Sequence, residues 1–159
     1  MDGLEDREAL AELTDVDDGK RVLLRGQLAA DEPTHVLLEL PAFAYEALPG
    51  TLLAWRQTLV TAPPTADLEV LDAVRELGVG VASWPRVRVL VLVRGASDDP
   101  EDDVLLELKE IADSGAAGWL PPGGFFNDVD VRILAAKDHL WHRPDSDPWW
   151  GTAQWLGMP

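Results

Sequence analysis

The chain contains no cysteine among its 159 residues. Disulfides, thiolate metal ligands and cysteine nucleophiles are therefore excluded. No apolar run has the length that a membrane-spanning helix needs. The acidic start, Met1–Asp6, lacks the basic and apolar regions of a signal peptide. We therefore expect a cytoplasmic protein with no membrane partner.

Basic residues are also scarce, because 13 Lys and Arg stand against 29 Asp and Glu, for a net charge of −16. Binding to nucleic acid depends on clustered Lys and Arg, so a direct nucleic-acid partner is disfavoured. The acidic residues crowd into residues 2–18 and 98–113. Two interpretations stay open: a solvated surface that keeps the protein soluble, or a docking face for a basic protein partner.

Apolar residues make up 47% of the chain, which at this length is enough to build a hydrophobic core. We predict a single domain over residues 1–159 of the α+β class. An antiparallel sheet of about four strands would be flanked by three or four helices, in the order αββααββα. The sequence leaves the oligomeric state undetermined.

Apolar spacing and capping residues predict four helices, each ended by proline, glycine or a turn. The third has a stripe of Leu68, Leu71, Val74 and Leu77 at three- to four-residue spacing, and Gly78 would cap its C-terminus. Asn127 would cap the last helix, whose apolar face includes Val129, Ile133, Ala136 and Leu140. The predicted helices are Leu4–Leu13, Leu52–Thr61 with Thr51 as N-cap, Thr65–Leu77, and the helix after Asn127.

β-Branched and apolar runs predict the strands. The segment Glu46–Gly50, which contains Pro49, is expected to break the chain ahead of the second helix. Asp15–Lys20 is expected to form a turn before the first strand. The predicted strands are Arg21–Leu28, His35–Leu40, Val87–Val93 and Val104–Leu108.

The C-terminal segment, residues 144–159, is rich in tryptophan. Together with Trp141 it holds four of the seven tryptophans. Each aromatic side chain can bury about 150–250 Å², so exposure of the whole segment to water is unfavourable. Two outcomes stay open: the segment packs on the domain, or it docks on a partner.

A glycine turn, Gly78-Val79-Gly80-Val81-Ala82-Ser83, precedes a hydrophobic hairpin whose second strand carries Lys109. Glycines let backbone N–H groups approach a phosphate, and a nearby lysine can contact the phosphate oxygens. Gly78, Gly80, Ser83 and Lys109 are therefore candidate nucleotide-binding residues. The alternative is an ordinary turn with a lysine that is solvated or paired with Glu107.

Two histidines, His139 and His142, lie three residues apart on the last predicted helix. No third ligand has the spacing of a metal site, so we interpret both as surface or capping residues and predict no metal site. No nucleophile elbow, zinc-protease motif or Walker loop occurs in the sequence.

Several short segments follow one another in the order of a known family. They are Glu46–Gly50, Gly78–Ser83, Val89–Gly95, Asp98–Pro100, Leu105–Glu110 and Arg132–Trp150. Together they resemble the bacterial family called "domain of unknown function 2252", whose phosphate-site motifs are kinase-like. The resemblance implies a kinase-like core with ATP as its cofactor.

The resemblance fails at Pro41–Tyr45, where family members carry an acidic N-D-F-D-type cluster and this chain has no carboxylate or amide. Mg²⁺ and phosphoryl transfer need such groups. The resemblance therefore implies a reduced, inactive relative: a non-catalytic cytosolic binding or regulatory module that keeps weak nucleotide binding. Two alternatives are an acidic inhibitor or immunity-type protein that binds a basic partner, and a weak phosphotransferase that uses Lys109.

Overall fold

The fold is α+β, as the sequence predicts, and the computed structural model describes residues 3–27, 35–59, 68–78, 86–112, 119, 128–140 and 149–158. Two compact units divide the chain: Met1–Pro49 with Pro64–Lys109, and Gly50–Pro63 with Glu110–Pro159. The prediction of one domain over residues 1–159 stays a prediction. No helix among the described residues is long and apolar enough to cross a membrane.

The described elements follow the order αββββαβββα. Strands β1 and β2 form a two-stranded sheet, and β3–β7 form a five-stranded antiparallel sheet in sequence order. The larger sheet agrees roughly with the predicted antiparallel sheet of about four strands, and the two-stranded sheet is additional. The elements are α1 (Gly3–Leu13), β1 (Thr14–Asp17), β2 (Lys20–Leu23), β3 (Gly26–Gln27), β4 (Val36–Glu39), α2 (Ala42–Arg56), β5 (Val70–Leu77), β6 (Arg88–Val93), β7 (Val104–Lys109) and α3 (Val129–Leu140).

Strand β6 lies inside the five-stranded sheet, paired with β5 on one side and β7 on the other. Its side chains alternate between the two faces of the sheet. On one face Leu90 and Leu92 join a buried cluster with Val74 of β5. Leu10 and Leu13 of α1 pack against that cluster. The other members of the cluster or its surroundings are Leu23, Leu24, Leu37, Leu71 and Leu105.

The third predicted helix is wrong, because β5 occupies Val70–Leu77. The three-residue apolar spacing that favours a helix also fits a strand with both faces covered. Ala73 and Val74 are adjacent on β5, so they point to opposite faces of the sheet, and both are buried, at 2% and 0% exposure. Gly78 consequently follows a strand and caps no helix. Its φ is +86°, the left-handed backbone conformation that a helix-capping glycine also adopts.

The predicted break at Glu46–Gly50 is also wrong, because α2 runs through Pro49, and Thr51 lies inside the helix instead of capping it. A proline within a helix costs about 3 kcal/mol. Four apolar side chains at helical spacing offset this cost, since burying each large one contributes about 1.5–3 kcal/mol. These buried side chains are Ala44, Leu48, Leu52 and Trp55.

In the second unit, the described part of the tryptophan-rich tail packs on the last turn of α2. The rings of Trp55 and Trp149 stack with centroids 6.0 Å apart and planes 12° apart. The Thr58 hydroxyl lies 3.1 Å from the Thr152 carbonyl oxygen and accepts a hydrogen bond from the Thr152 N–H at 3.0 Å. Helix α3 is capped by Asp128, whose carboxylate accepts from the Val131 N–H at 3.1 Å. The predicted cap Asn127 lies outside the described residues.

The same tight turn occurs twice with different residues. Asp18 and Gly19 join β1 to β2 with φ of +47° and +75°. Leu156 and Gly157 have φ of +53° and +77°. Two successive positive φ angles define a type I′ turn, which favours Asp-Gly or Asn-Gly. An exposed leucine in this conformation is therefore strained.

We expect Leu156→Asn to raise the free energy of unfolding by about 0.5–1 kcal/mol, because asparagine tolerates a positive φ and the leucine is 46% exposed. The reciprocal variant Asp18→Leu should lower stability by a similar amount. Urea unfolding measures both. A loss of stability in Leu156→Asn would contradict the prediction and assign the leucine a packing role.

Candidate functional site

Two of the four candidate nucleotide-binding residues, Gly78 and Lys109, lie at one end of the five-stranded sheet. β5 ends at Leu77 and continues into Gly78, while β6 begins at Arg88 and β7 ends at Lys109. Because these strands are antiparallel, the end of β5, the start of β6 and the end of β7 coincide. Gly78 and Lys109 therefore lie at the same end of the sheet, on strands that β6 separates. Gly80 and Ser83 lie outside the described residues.

Four charged side chains share one face at this sheet end. Arg88 is directly opposite Lys109, and Leu90 is directly opposite Glu107. Side chains two residues apart on a strand point the same way, so Arg88, Glu107 and Lys109 lie on the face of the buried cluster. Glu76 belongs to the same face, since it is two residues from Val74.

The Glu76 carboxylate is 7% exposed and holds two partners. His35 Nε2 lies 2.9 Å from Glu76 Oε1, and Arg88 Nη1 lies 3.3 Å from Glu76 Oε2. Arg88 Nε in turn lies 2.8 Å from Glu107 Oε1. A buried carboxylate is costly unless it is paired and hydrogen-bonded, so Arg88 and His35 make the burial of Glu76 possible.

Lys109 behaves differently from the rest of this group. Glu107, two residues earlier on the same strand, pairs with Arg88 and not with Lys109. The Lys109 side chain is exposed and makes no hydrogen bond or ion pair with any described residue. The ammonium group is thus available to an anion approaching this end of the sheet.

Sequence reasoning identified Gly78 and Lys109 but missed Arg88, Glu76 and His35. The three missed residues come from three different strands or strand ends, and only the register brings them together. The sequence offered one signal for them: charged residues adjoin the apolar residues near one end of each of these strands.

Metal ligands do not gather within the part of the chain that the structure describes, where no group of three or more His, Asp or Glu side chains could hold an ion. His139 instead lies with Nδ1 2.7 Å from the Ala135 carbonyl oxygen of its own helix. His142 is outside the described residues.

A second polar cluster surrounds Asp72 on β5. Its carboxylate accepts hydrogen bonds from the Leu23 N–H at 2.8 Å and from Arg25 Nη2 at 2.7 Å and Nη1 at 3.0 Å. The hydrogen bond to Asp72 is the main cause that raises the pKa of Arg25. Burial is the main cause that raises the pKa of Tyr45, so its phenol stays protonated at neutral pH.

This cluster borders an open cavity of about 340 Å³. The Asp72 oxygens are occupied by Arg25 and by backbone N–H groups. The carboxylates of Glu39 and Glu46 also line the cavity. Its lining consists of Arg25, Glu39, Leu40, Ala42, Tyr45, Glu46, Asp72 and Ala73.

The acidic loop between β6 and β7 is organised by its own carboxylates and by Arg21. Buried Arg21 donates to the Pro100 carbonyl oxygen at 2.8 Å and to Glu101 at 2.9 Å. Asp103 accepts from the Gly95 N–H at 3.3 Å. Burial raises the pKa of Asp103, and the Gly95 hydrogen bond and the nearby arginines oppose this effect only in part.

No protein-family model, curated protein or solved structure matches this chain. The resemblance drawn from its short motifs accordingly stays a proposal.

We expect Asp72→Ala to lower the free energy of unfolding by about 2–4 kcal/mol, because it removes the acceptor of the Leu23 N–H and the less exposed of the two carboxylates that pair with Arg25. The matched control is Glu39→Ala, which removes an 80% exposed carboxylate from the same arginine. Exposed pairs contribute about 0–1 kcal/mol. Equal losses in the two variants, measured by urea unfolding, would show that Asp72 has no special role.

The pH dependence of stability should change in Asp103→Asn. The pKa of Asp103 is raised in the folded state above its ordinary value of 3.8, so the folded protein binds this proton more tightly. Its contribution to stability is present at low pH and is lost as pH rises through the raised pKa. Asp103→Asn should therefore gain stability relative to the wild type across the pH range just above 3.8.

Urea unfolding of both proteins from pH 3.5 to pH 7 measures this difference. Asp98→Asn is the control, because its side chain is fully exposed on the same loop. A stability difference between Asp103→Asn and wild type that stays constant with pH would contradict the assignment.

Proposed function

We propose that this protein is a non-catalytic cytoplasmic binding or regulatory module with a degenerate kinase-like core. The end of the sheet formed by β5, β6 and β7 binds the phosphates of a nucleotide such as ATP. One observation carries the proposal: Gly78 and Lys109 lie at the same end of the sheet, and the Lys109 ammonium is unengaged among the described residues.

Phosphate chemistry fits both groups. Gly78 has a φ of +86°, and such a glycine turns the chain without a side chain that would keep a ligand away from the backbone. A lysine binds phosphate as a point charge and needs no fixed geometry. A strand–turn–strand that carries glycine, followed by a strand that carries lysine, also follows the order of phosphate-site elements in kinases.

The non-catalytic part of the proposal rests on the chain around the start of α2. Residues 41–45 contain no carboxylate or amide, where the resembled family has its acidic cluster. The carboxylate of Asp72, which lines a cavity together with Tyr45, is bonded to Arg25. A carboxylate engaged by a guanidinium is a poor ligand for Mg²⁺, which needs free oxygen ligands.

A second candidate function is the binding of a basic protein, as an acidic inhibitor or immunity-type protein would do. The net charge of −16 favours it, because a strongly acidic surface attracts cationic partners. The carboxylates of Glu46 and of Glu39, the latter 80% exposed and paired with Arg25, line the cavity and add to this field. The nucleotide proposal ranks first because it rests on particular residues at one place.

Isothermal titration calorimetry with ATP and Mg²⁺ tests the proposal. We expect measurable binding to the wild type at millimolar nucleotide and a loss of roughly tenfold or more in Lys109→Ala, since a charge-assisted hydrogen bond is worth about 1.5–3 kcal/mol. Lys20→Ala is the matched control, because Lys20 is an exposed lysine on β2.

Absence of both heat and thermal shift at millimolar ATP would remove nucleotide binding from the proposal. Equal affinities of Lys109→Ala and wild type would remove this site. ATP turnover that Lys109→Ala abolishes would instead favour the weak phosphotransferase.

A further inference from the structure

Two cations stand directly opposite each other at the proposed phosphate site. Arg88 and Lys109 are cross-strand partners in the β6–β7 ladder and lie on the same face. Side chains in such a pair have Cβ atoms about 4.5–5.5 Å apart, and like charges at this spacing destabilise a sheet. Within the protein, Glu76 and Glu107 supply carboxylates to Arg88 alone, so Lys109 is the member of the pair that has no anionic partner among the described residues.

We propose that Arg88 is a second phosphate-binding cation of this site and that the ligand is a di- or triphosphate. This inference rests on the proposed function. Lys109 contacts one phosphate, and Arg88 contacts a neighbouring phosphate of the same chain. A ligand with a single phosphate engages one of the two cations. The spacing of the cross-strand pair therefore favours ligands that carry at least two linked phosphates.

The guanidinium of Arg88 is held in a way that leaves part of it available. Its Nε pairs with Glu107 and its Nη1 with Glu76. Its Nη2 makes no hydrogen bond to any residue in the described ranges. Arginine presents its N–H groups in a rigid fork, so two carboxylates that fix one side also aim the other.

Glu76 and Glu107 are positioning residues in this arrangement. Glu76 is buried and is bonded to His35 as well as to Arg88, so it anchors the guanidinium to β5. Glu107 is half-exposed and anchors the guanidinium to β7. Arg88 is consequently tied to both neighbouring strands, and Lys109 is tied to none.

The test compares AMP, ADP, ATP and inorganic tripolyphosphate, each with Mg²⁺, by isothermal titration calorimetry on the full chain. In the wild type we expect ADP, ATP and tripolyphosphate to bind at least tenfold more tightly than AMP. In Arg88→Ala this preference should fall to within about threefold, because the second cation is missing. Arg75→Ala is the matched control, since Arg75 precedes Glu76 and lies on the opposite face of β5.

Arg88→Lys provides a second readout in case the loss of Arg88 exposes Glu76 and impairs folding. It keeps the charge beside Glu76 and should retain part of the preference for several phosphates. Far-UV circular dichroism confirms that each variant is folded.

The outcomes separate the two proposals. Loss of ATP binding in Lys109→Ala, with an unchanged phosphate preference in Arg88→Ala and Arg88→Lys, would overturn the role of Arg88 and leave the nucleotide site standing. If Arg75→Ala and Arg88→Ala lowered the preference for several phosphates equally, the effect would reflect net charge alone. That result would also overturn the role of Arg88. No binding of any phosphate ligand to the wild type would overturn both.

Discussion

The register of β6 between β5 and β7 is the constraint on which the rest of this structure depends. Val89, Val91 and Val93 are completely buried on one face, and Leu90 and Leu92 join the core cluster on the other. A slip by one residue would exchange the two faces of the strand. Because both sets are buried, the alternation of faces by itself does not fix the register. Arg88 does so, since a shift would separate its guanidinium from Glu76 and Glu107 and leave buried charges unpaired.

The elements that the sequence predicts well are those whose local preferences agree with their surroundings. β6 and β7 are continuous apolar runs bounded by charges, and the Asp18-Gly19 turn has the residues that its geometry demands. β5 and α2 are the opposite case. β5 tolerates apolar residues at helical spacing because both of its faces are buried, as Ala73 and Val74 show. α2 carries Pro49 because its buried apolar side chains outweigh the missing hydrogen bond. Tertiary burial decides both elements, and no local pattern reports it.

The candidate site likewise contains residues that a local pattern identifies and residues that only the fold brings together. Gly78 and Lys109 were identifiable because a glycine turn and a lysine at the end of an apolar strand are local patterns. The contacts of Arg88 with Glu76 and Glu107, and that of Arg25 with Asp72, join residues on separate strands. Many carboxylates were available to each arginine in a chain with 29 of them, so composition could not select the partner. Each partner is set by which strands pair and in which register, and neither is visible in the composition.

Anion binding by so acidic a protein is a question of local field and not of net charge. Of the 13 basic residues, Arg21, Arg25, Arg88 and Arg94 are each paired with at least one carboxylate. The carboxylates nearest Lys109 on its face, Glu107 and Glu76, are likewise occupied, by Arg88. Around Lys109 the short-range field is thus set by its own ammonium, while the remaining carboxylates act from a distance and are weakened by salt beyond about 8–10 Å. The ion pairs of Arg88 therefore do two things at once: they hold the strands in register, and they leave the neighbouring lysine without a carboxylate partner.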